Sequence, residues 1–561
     1  MNARLVIDTC VLLFYFFGIV ALGLWAGRRN RNLEDFSLGS RSIPWWAVLA
    51  SIVAAETSAA TFLGVPAEGF KTRAYFYGQL VIGTILARVI VAFTFIKPYY
   101  AYRVQSIYEF LTIRFGTKTK NMASGIFLFT RVLGIGVRLY LGGAIMVVIW
   151  RYLFPTLAIT LNTYVWGIIF VTFITTIYTA VGGIKAVVWT DLIQAVLMFS
   201  SVIFAIFLLL RSIPGGMATV TQNLGGWDHI KFIQTGWDTH LPFGQALKAM
   251  FEEPYTLFAA FIGSTMVTMA THGTDQDMVQ RMLTAPNYRK SQLSLILSGI
   301  MDLPIAASFL TVGILLSVFY GVVPSKTPPT ADNEIFGYYI VHEMPVVFRG
   351  LIVAGVFATM MGSTSAALNA LATSFTKDFY FPYINPGASD RQAIRAARIA
   401  TAVFGVLMVL VATMAANAVL QDAKLTIIPI AIGILGYTYG ALLAVFLVGM
   451  LTRRRGRDSS NVIAMLVGIM SVLVLCKVSF PAFNFGALFH GQFVHANWDF
   501  GWFMPAWWPA ISWPWFIFVG CVVTFAISVL FPTPPSQIAA AEAHVGNGAR
   551  DEPTAAGLQT N

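Results

Sequence analysis

The sequence predicts an all-α membrane protein of about thirteen transmembrane helices. Three observations carry that expectation. Hydrophobic residues make up 57% of the 561 residues and charged residues only 11%, where an average soluble domain carries roughly a quarter charged residues. Apolar stretches of about 18 residues or more, the length that crosses a hydrocarbon core of roughly 30 Å, recur from end to end. The basic residues fall in short clusters between these stretches and form no continuous surface, so the net charge of +11 reports membrane topology and argues against a nucleic-acid partner.

Candidate spans begin near residues 5, 43, 74, 121, 161, 188, 252, 291, 346, 393, 425, 460 and 511. The first lacks a preceding basic region and a small-residue cleavage site and reads as a retained helix. With the amino terminus outside, the cytoplasmic loops hold Arg28, Arg29, Arg31 and Arg41, then Lys97, Arg103, Arg114, Lys118 and Lys120, then Arg281, Arg289 and Lys290. Further along they hold Lys377, Arg391, Arg395 and Arg398, and then Arg453, Arg454, Arg455 and Arg457. With Lys185 and Arg550 about 22 of the 36 basic residues lie on that side against about 10 on the other. A miscounted helix would scramble this bias, which therefore supports an odd number of spans and a cytoplasmic carboxyl tail in a multi-pass inner (plasma) membrane protein.

The chain then divides into a peripheral first helix and cytoplasmic loop (1–42), a first five-helix repeat (43–211), an outer loop (212–251), a second five-helix repeat (252–451), two additional spans with an outer loop (452–531) and a disordered tail (532–561). The three cysteines, Cys10, Cys476 and Cys521, lie in or beside apolar segments and offer neither a disulfide framework nor a metal motif.

Two spans carry polar interruptions. The second runs from Ala50 through Ser51, Ala54, Ala55, Glu56, Thr57 and Ser58 to Thr61, and the seventh runs from Ser264 through Thr268, Thr271, His272 and Thr274 to Asp275. An acid inside a membrane segment is costly, and a discontinuous helix lining a cavity accounts for it: freed carbonyls and hydroxyls replace the hydration shell of Na⁺ while a carboxylate meets a substrate or ion. Close packing of small residues is the competing use. Two breaks five spans apart are what an inverted repeat of five plus five helices produces, which makes a transporter the expected function class.

The ninth span gathers Thr359, Gly362, Ser363, Thr364, Ser365 and Asn369, oxygen ligands suited to a hard cation and equally suited to interhelical hydrogen bonds. Arg131 and Arg138 lie two helical turns apart on one face of the fourth span, placed to recognise an anion, to pair with an acid such as Glu56, or to snorkel. Asp191, after Gly182 and Gly183, sits where a carboxylate also favours a helix N-terminus. An enzyme is not expected: the seven histidines are scattered, and His342-Glu343 has no second His at metalloprotease spacing. About 30 tail residues are too few for a signalling domain.

The stretch Gly182–Gln194, the pair Gln280-Arg281, the segment Ser363–Asp378 and the run Tyr439–Gly449 resemble the sodium/solute symporter family, over roughly residues 5 to 480. The resemblance implies a LeuT-like inverted repeat and a symporter that takes up a small polar solute with Na⁺, needing no other cofactor and no obligate protein partner beyond the bilayer. It places a sodium site at Ala54 and Thr57, in backbone-carbonyl positions, and at Thr359, Gly362 and Ser363. A sugar-transporting relative reads Ala, Ser and Ser at those last three, so one hydroxyl is lost at Gly362, with Thr359 or Thr57 as candidate replacements. A second sodium site in some members implies Asp191 and Ser365, but Ala366 stands where such a site offers Ser. Glu56, Thr61, Leu80 and Asp275 occupy positions that are polar in the sugar pattern; a leucine cannot hydrogen-bond a hydroxyl, which disfavours a sugar. Glu56 is also acidic in the similar proline transporter. With Arg131 and Arg138, an amino acid satisfies both signs, and a monocarboxylate does so if Glu56 serves the ion or an Arg. A sodium/sugar symporter and a passive solute channel are the alternatives.

Overall fold

The computed structural model describes residues 3–153, 160–329, 335–421, 427–481, 497–505 and 507–550. Nearly all of them are helical; among the described residues the extended structure is a short antiparallel pairing of Ser479–Pro481 with Asn497–Asp499 and an isolated bridge from Arg455 to Pro532.

The helices that carry the argument are Trp45–Glu56 and Ala59–Thr72, Leu80–Val91, Thr117–Leu153, Leu161–Ser212, Thr265–Gly273 and Gln276–Met282, Tyr288–Val322, Phe348–Phe375 and Asp390–Gln421. Ten helices are long and apolar enough to cross a bilayer, and eleven spans result if the bent pair Trp45–Glu56 with the helix ending at Thr72 counts as one. The expected count of thirteen is not reproduced by this measure, and the two missing starts have identifiable reasons. The start near 188 lies inside the 52-residue helix Leu161–Ser212, which at 1.5 Å per residue is about 78 Å long, more than twice a bilayer core. That helix is interrupted at Gly183, whose φ of 60° and ψ of −155° suit glycine alone, so two spans run nearly end to end. The start near 252 falls on a span divided into Ala259–Ser264, Thr265–Gly273 and Gln276–Met282, each too short to cross alone.

Both interruptions read from the sequence are real breaks. The second span leaves the helix at Thr57 (ψ 90°) and Ser58 (ψ 168°) and turns by 63°. The seventh leaves it at Thr274 and Asp275. Small and hydroxylated residues allow this because their side chains compete for the backbone bonds that the helix gives up. The broken helices pack with Leu80–Val91 and Tyr288–Val322, while Thr117–Leu153, Leu161–Ser212, Phe348–Phe375 and Asp390–Gln421 pack against one another. Phe348–Phe375 is the central element: from Ile352 to Ser374 every residue is buried.

The tail corrects an expectation. Residues 535–550 form a helix instead of a disordered segment, started by Pro535 in the first turn and continued by an alanine-rich run. Gln537 Nε2 anchors it by donating to the carbonyls of Thr112 (3.2 Å) and Ile113 (2.9 Å). Residues 551–561 lie outside the described residues, as do 482–496 of the loop between the last two spans.

Candidate ion and solute site

The break at Thr57-Ser58 lies against the middle of Phe348–Phe375. A Cβ on Gly362 would sit 3.6 Å from the carbonyl oxygen of Ala54, and Ser58 shares a small cavity, with room for about one water, with Ser363, Thr364, Met360 and Arg138. The hydroxyls expected at a sodium site direct their protons to their own helices. Thr57 donates to Val53 O (3.0 Å), Thr359 to Val356 O (2.8 Å), Ser363 to Thr359 O (3.1 Å) and Ser365 to Gly362 O (3.0 Å). A hydroxyl so arranged still presents oxygen lone pairs, which is what a hard cation requires. Of the residues expected there, Ala54 and Gly362 face each other, Ser363 lines the cavity beside the break, and Thr57 forms the break itself.

The charged residues sort into two buried clusters. In the first, Arg88 is fully buried and donates to Glu56 at 2.5 Å and to Asp302 at 2.8 Å, with Ser298 Oγ 2.9 Å from its second nitrogen. His272 Nε2 lies 2.7 Å from the same Glu56. Glu56 therefore pairs with Arg88, not with either arginine of the fourth span. All five residues belong to the broken helices and the two helices packed on them.

In the second cluster, Arg131 pairs with Asp275 and also lies 3.4 Å from Asp277. Tyr439 donates to Asp275 at 2.6 Å. Arg281 pairs with Asp277 and reaches Asp191 at 3.3 Å, while Ser51 donates to Asp191 at 2.6 Å and accepts from Arg281 Nε at 2.9 Å. Asp275 and Arg131, both expected to touch substrate, thus engage each other. Asp275 also caps Gln276–Met282, its carboxylate accepting from the backbone N–H of Asp277 at 2.9 Å.

Arg138 differs from Arg131. Among the described residues it makes no hydrogen bond or ion pair, and it lines the cavity with Ser58 and Ser363. Leu80 is buried, and its carbonyl accepts from Ser264 at 2.8 Å. Thr61 sits half-buried in the first turn after the break. Arg88 and Asp302 escaped the reading of the sequence, although each is a charge inside an otherwise apolar span, a signal that by itself marks a functional or paired residue.

A profile of the sodium:solute symporter family matches residues 36–468. The chain belongs to that family. It is 26% identical over 478 residues to the sodium/sialic acid symporter of Proteus mirabilis, covering 83% of this chain and 89% of that one. It is 27% identical to the sodium/glucose cotransporter of Vibrio parahaemolyticus, covering 73% and 75% of the two chains. It is 26% identical to the human sodium-coupled monocarboxylate transporter 1, covering 83% and 70%. The fold is that of a solved sodium-coupled sialic acid symporter in a substrate-bound outward-open state, with a TM-score of 0.74 at 22% identity over 93% of this chain and 97% of that one. The symporter is accordingly a sodium-coupled secondary transporter, multi-pass in the membrane, and not an enzyme or a passive channel.

Proposed function

We propose that the symporter imports a small organic anion bearing a carboxylate, bound by Arg138 and driven by Na⁺ held between the break at Thr57 and the helix Phe348–Phe375. The observation that carries this reading is the contrast between the arginines. Arg88, Arg131 and Arg281 each pair with carboxylates of the chain itself, whereas Arg138 makes no ion pair among the described residues and lines, with Ser58, Ser363 and Thr364 and the apolar Ile135, Leu139 and Met360, a small cavity that has to widen to admit a solute. A guanidinium presents a fork of donors matched to a carboxylate. Glu56 is engaged by Arg88, which removes the partner that an amino acid's ammonium would need and favours a carboxylate over a zwitterion. The relatives named for sialic acid and for monocarboxylates agree with an anionic solute.

Transport then follows alternating access. Na⁺ entering from the outside stabilises the open cavity, the anion joins it at mid-membrane, and both leave on the cytoplasmic side as the two helix groups rock. Ser363 belongs to both the cavity and the sodium site, so ion and solute each tighten the other's binding by the same factor. The test is uptake into proteoliposomes under a sodium gradient across carboxylates, amino acids and neutral sugars. A carboxylate should be concentrated by the wild type and lost by Arg138→Gln, with sodium-dependent thermal stabilisation retained. Undiminished carboxylate uptake by Arg138→Gln, or uptake confined to neutral solutes, would overturn the reading.

A further inference from the structure

The tail helix takes no part in the ion and solute site. Pro535–Arg550 lies against the short helix Tyr108–Arg114. Gln537, Ile538 and Ala541 form its sheltered side, and Gln537 Nε2 donates to the carbonyls of Thr112 (3.2 Å) and Ile113 (2.9 Å). Just ahead of it, buried Thr533 donates to Gly456 O (2.8 Å) and accepts from Arg114 (3.4 Å), whose other terminal nitrogen donates to Thr452 O at 2.7 Å. The tail is thus bonded both to Tyr108–Arg114 and to the loop after Ile427–Leu451. The opposite end of the same segment grips the second break. Ile107 N–H donates to Gln276 Oε1 (2.8 Å), Gln276 Nε2 donates to Gln105 O (2.9 Å), and Tyr108 OH donates to Thr274 O (3.3 Å). Ser106 Oγ donates to Asp378 Oδ2 at 2.8 Å and Glu109 pairs with Lys377 at 3.6 Å, which ties the segment also to the residues that continue the central helix.

We propose that the tail helix is a brake on opening of the transport path toward its own face, acting through residues 105–114 on the break between Thr274 and Gln276. Alternating access requires the half-helix Gln276–Met282 to move against its neighbours when the path opens on that side. Gln276 is buried and commits both ends of its amide to the backbone of the segment, so parting the two strands buried polar groups and the pair tends to move as one. The segment is held in turn from its other side by Gln537 and Thr533. The loop at Thr452 and Gly456 is the fixed end of that hold and the segment is the movable end, so opening pulls the segment away from the tail. Gln537 meets carbonyls at the end of a helix, which water satisfies once the tail leaves, so docking is reversible. A contact made in one state only shifts the balance between two states by its own strength. Undocking the tail therefore favours the state open on its face while leaving the break, the cavity and the hydroxyls around it untouched. The inference is independent of which solute is carried.

The experiment measures access to a buried reporter, Thr373→Cys, in the full-length symporter in nanodiscs, with Cys10 and Cys476 replaced by serine and Cys521 kept as a buried control. Thr373 is fully buried beside Gln280 (3.1 Å), about 15 Å along the central helix from Ser363 toward Asp378, so a water-soluble maleimide reaches it when the path opens on the tail's face. Gln537→Ala with Ala541→Glu, which puts a charge on the sheltered side, should raise its alkylation rate about tenfold, and Gln537→Ala alone about threefold. Gln276→Ala should raise it with the tail docked, and adding the tail substitutions to Gln276→Ala should bring little more, because both release one latch. An unchanged or slower rate in the tail variants overturns the inference, and so do effects that multiply fully with Gln276→Ala. Cys521 should stay unreactive throughout; its acceleration alongside Thr373→Cys would mean general loosening and would overturn the inference too. Should the double tail variant not fold, Gln537→Ala alone decides on the same terms.

Discussion

Replacing Arg88 by Met isolates the contribution of the first charge cluster. Arg88 has no exposed surface and joins Glu56 (2.5 Å) and Asp302 (2.8 Å), so the substitution leaves two carboxylates without their shared cation. Removing one partner of a buried ion pair costs about 3–5 kcal/mol. Glu56 and Asp302 keep 22% and 19% side-chain exposure, which places the cost at the lower end, about 3 kcal/mol. With an unfolding entropy of roughly 2.1 cal/mol/K per residue over 561 residues, the apparent melting temperature should fall by about 2–3 °C. The triple variant Arg88→Met, Glu56→Gln, Asp302→Asn should recover most of this, because a neutral cluster has no unpaired charge. Fluorescence-monitored melting of the protein in nanodiscs reads both. If Arg88→Met melts with wild type, or the triple variant melts below the single one, the charge argument is wrong. Because the cluster ties both broken helices to Leu80–Val91 and Tyr288–Val322, the single variant should also slow transport.

Ser363→Ala removes one oxygen from the proposed sodium site; loss of one contact to a charge, about 1.5 kcal/mol or more, should raise the sodium midpoint for uptake roughly tenfold, and an unchanged midpoint would remove Ser363 from the site. Gly183→Ala forces a Cβ onto a backbone at φ 60°, ψ −155° and within 2.9 Å of the Phe36 ring. It should cost about 2–3 kcal/mol and lower the yield of folded protein, and wild-type yield and melting would show that the bend tolerates a side chain.

Much of the fold was legible because lipid enforces it: a chain that must satisfy every backbone group internally advertises its helices as apolar runs. The two breaks were legible for the converse reason, since Glu56 and the hydroxyls around Asp275 have no place in an unbroken lipid-facing helix. Pairing was not legible. Nothing local to Arg131 says that its partners are Asp275 and Asp277, more than 140 residues away, or that its neighbour Arg138 is left facing a cavity. Nor does the 52-residue helix disclose from its composition that its two spans bend at one glycine without a loop between them. The tail has the composition of a disordered segment, and what makes it helical, the contacts from Gln537 to a distant helix end, leaves no local trace in the sequence.

On the proposed function, the distribution of charge gives a reason for an anion and a sodium ion to suit this interior better together than either alone. The ion pairs of the second cluster set three carboxylates, Asp191, Asp275 and Asp277, against two guanidinium groups, Arg131 and Arg281, leaving one negative charge on the sodium side. Arg138 pairs with no acid among the described residues but lies within the electrostatic reach of Asp275 and Asp277, and it brings a third positive charge to the wall of the cavity on which Ser363 also stands. On the proposed reading Na⁺ answers the first and a carboxylate the second. Two such unit charges about 6 Å apart attract by roughly 3 kcal/mol at an effective dielectric of about 20, on the order of a hundredfold in mutual affinity. A neutral sugar would forgo this attraction and leave Arg138 desolvated without a partner. On that proposed reading, the same electrostatics that couples ion to solute also selects the sign of the solute.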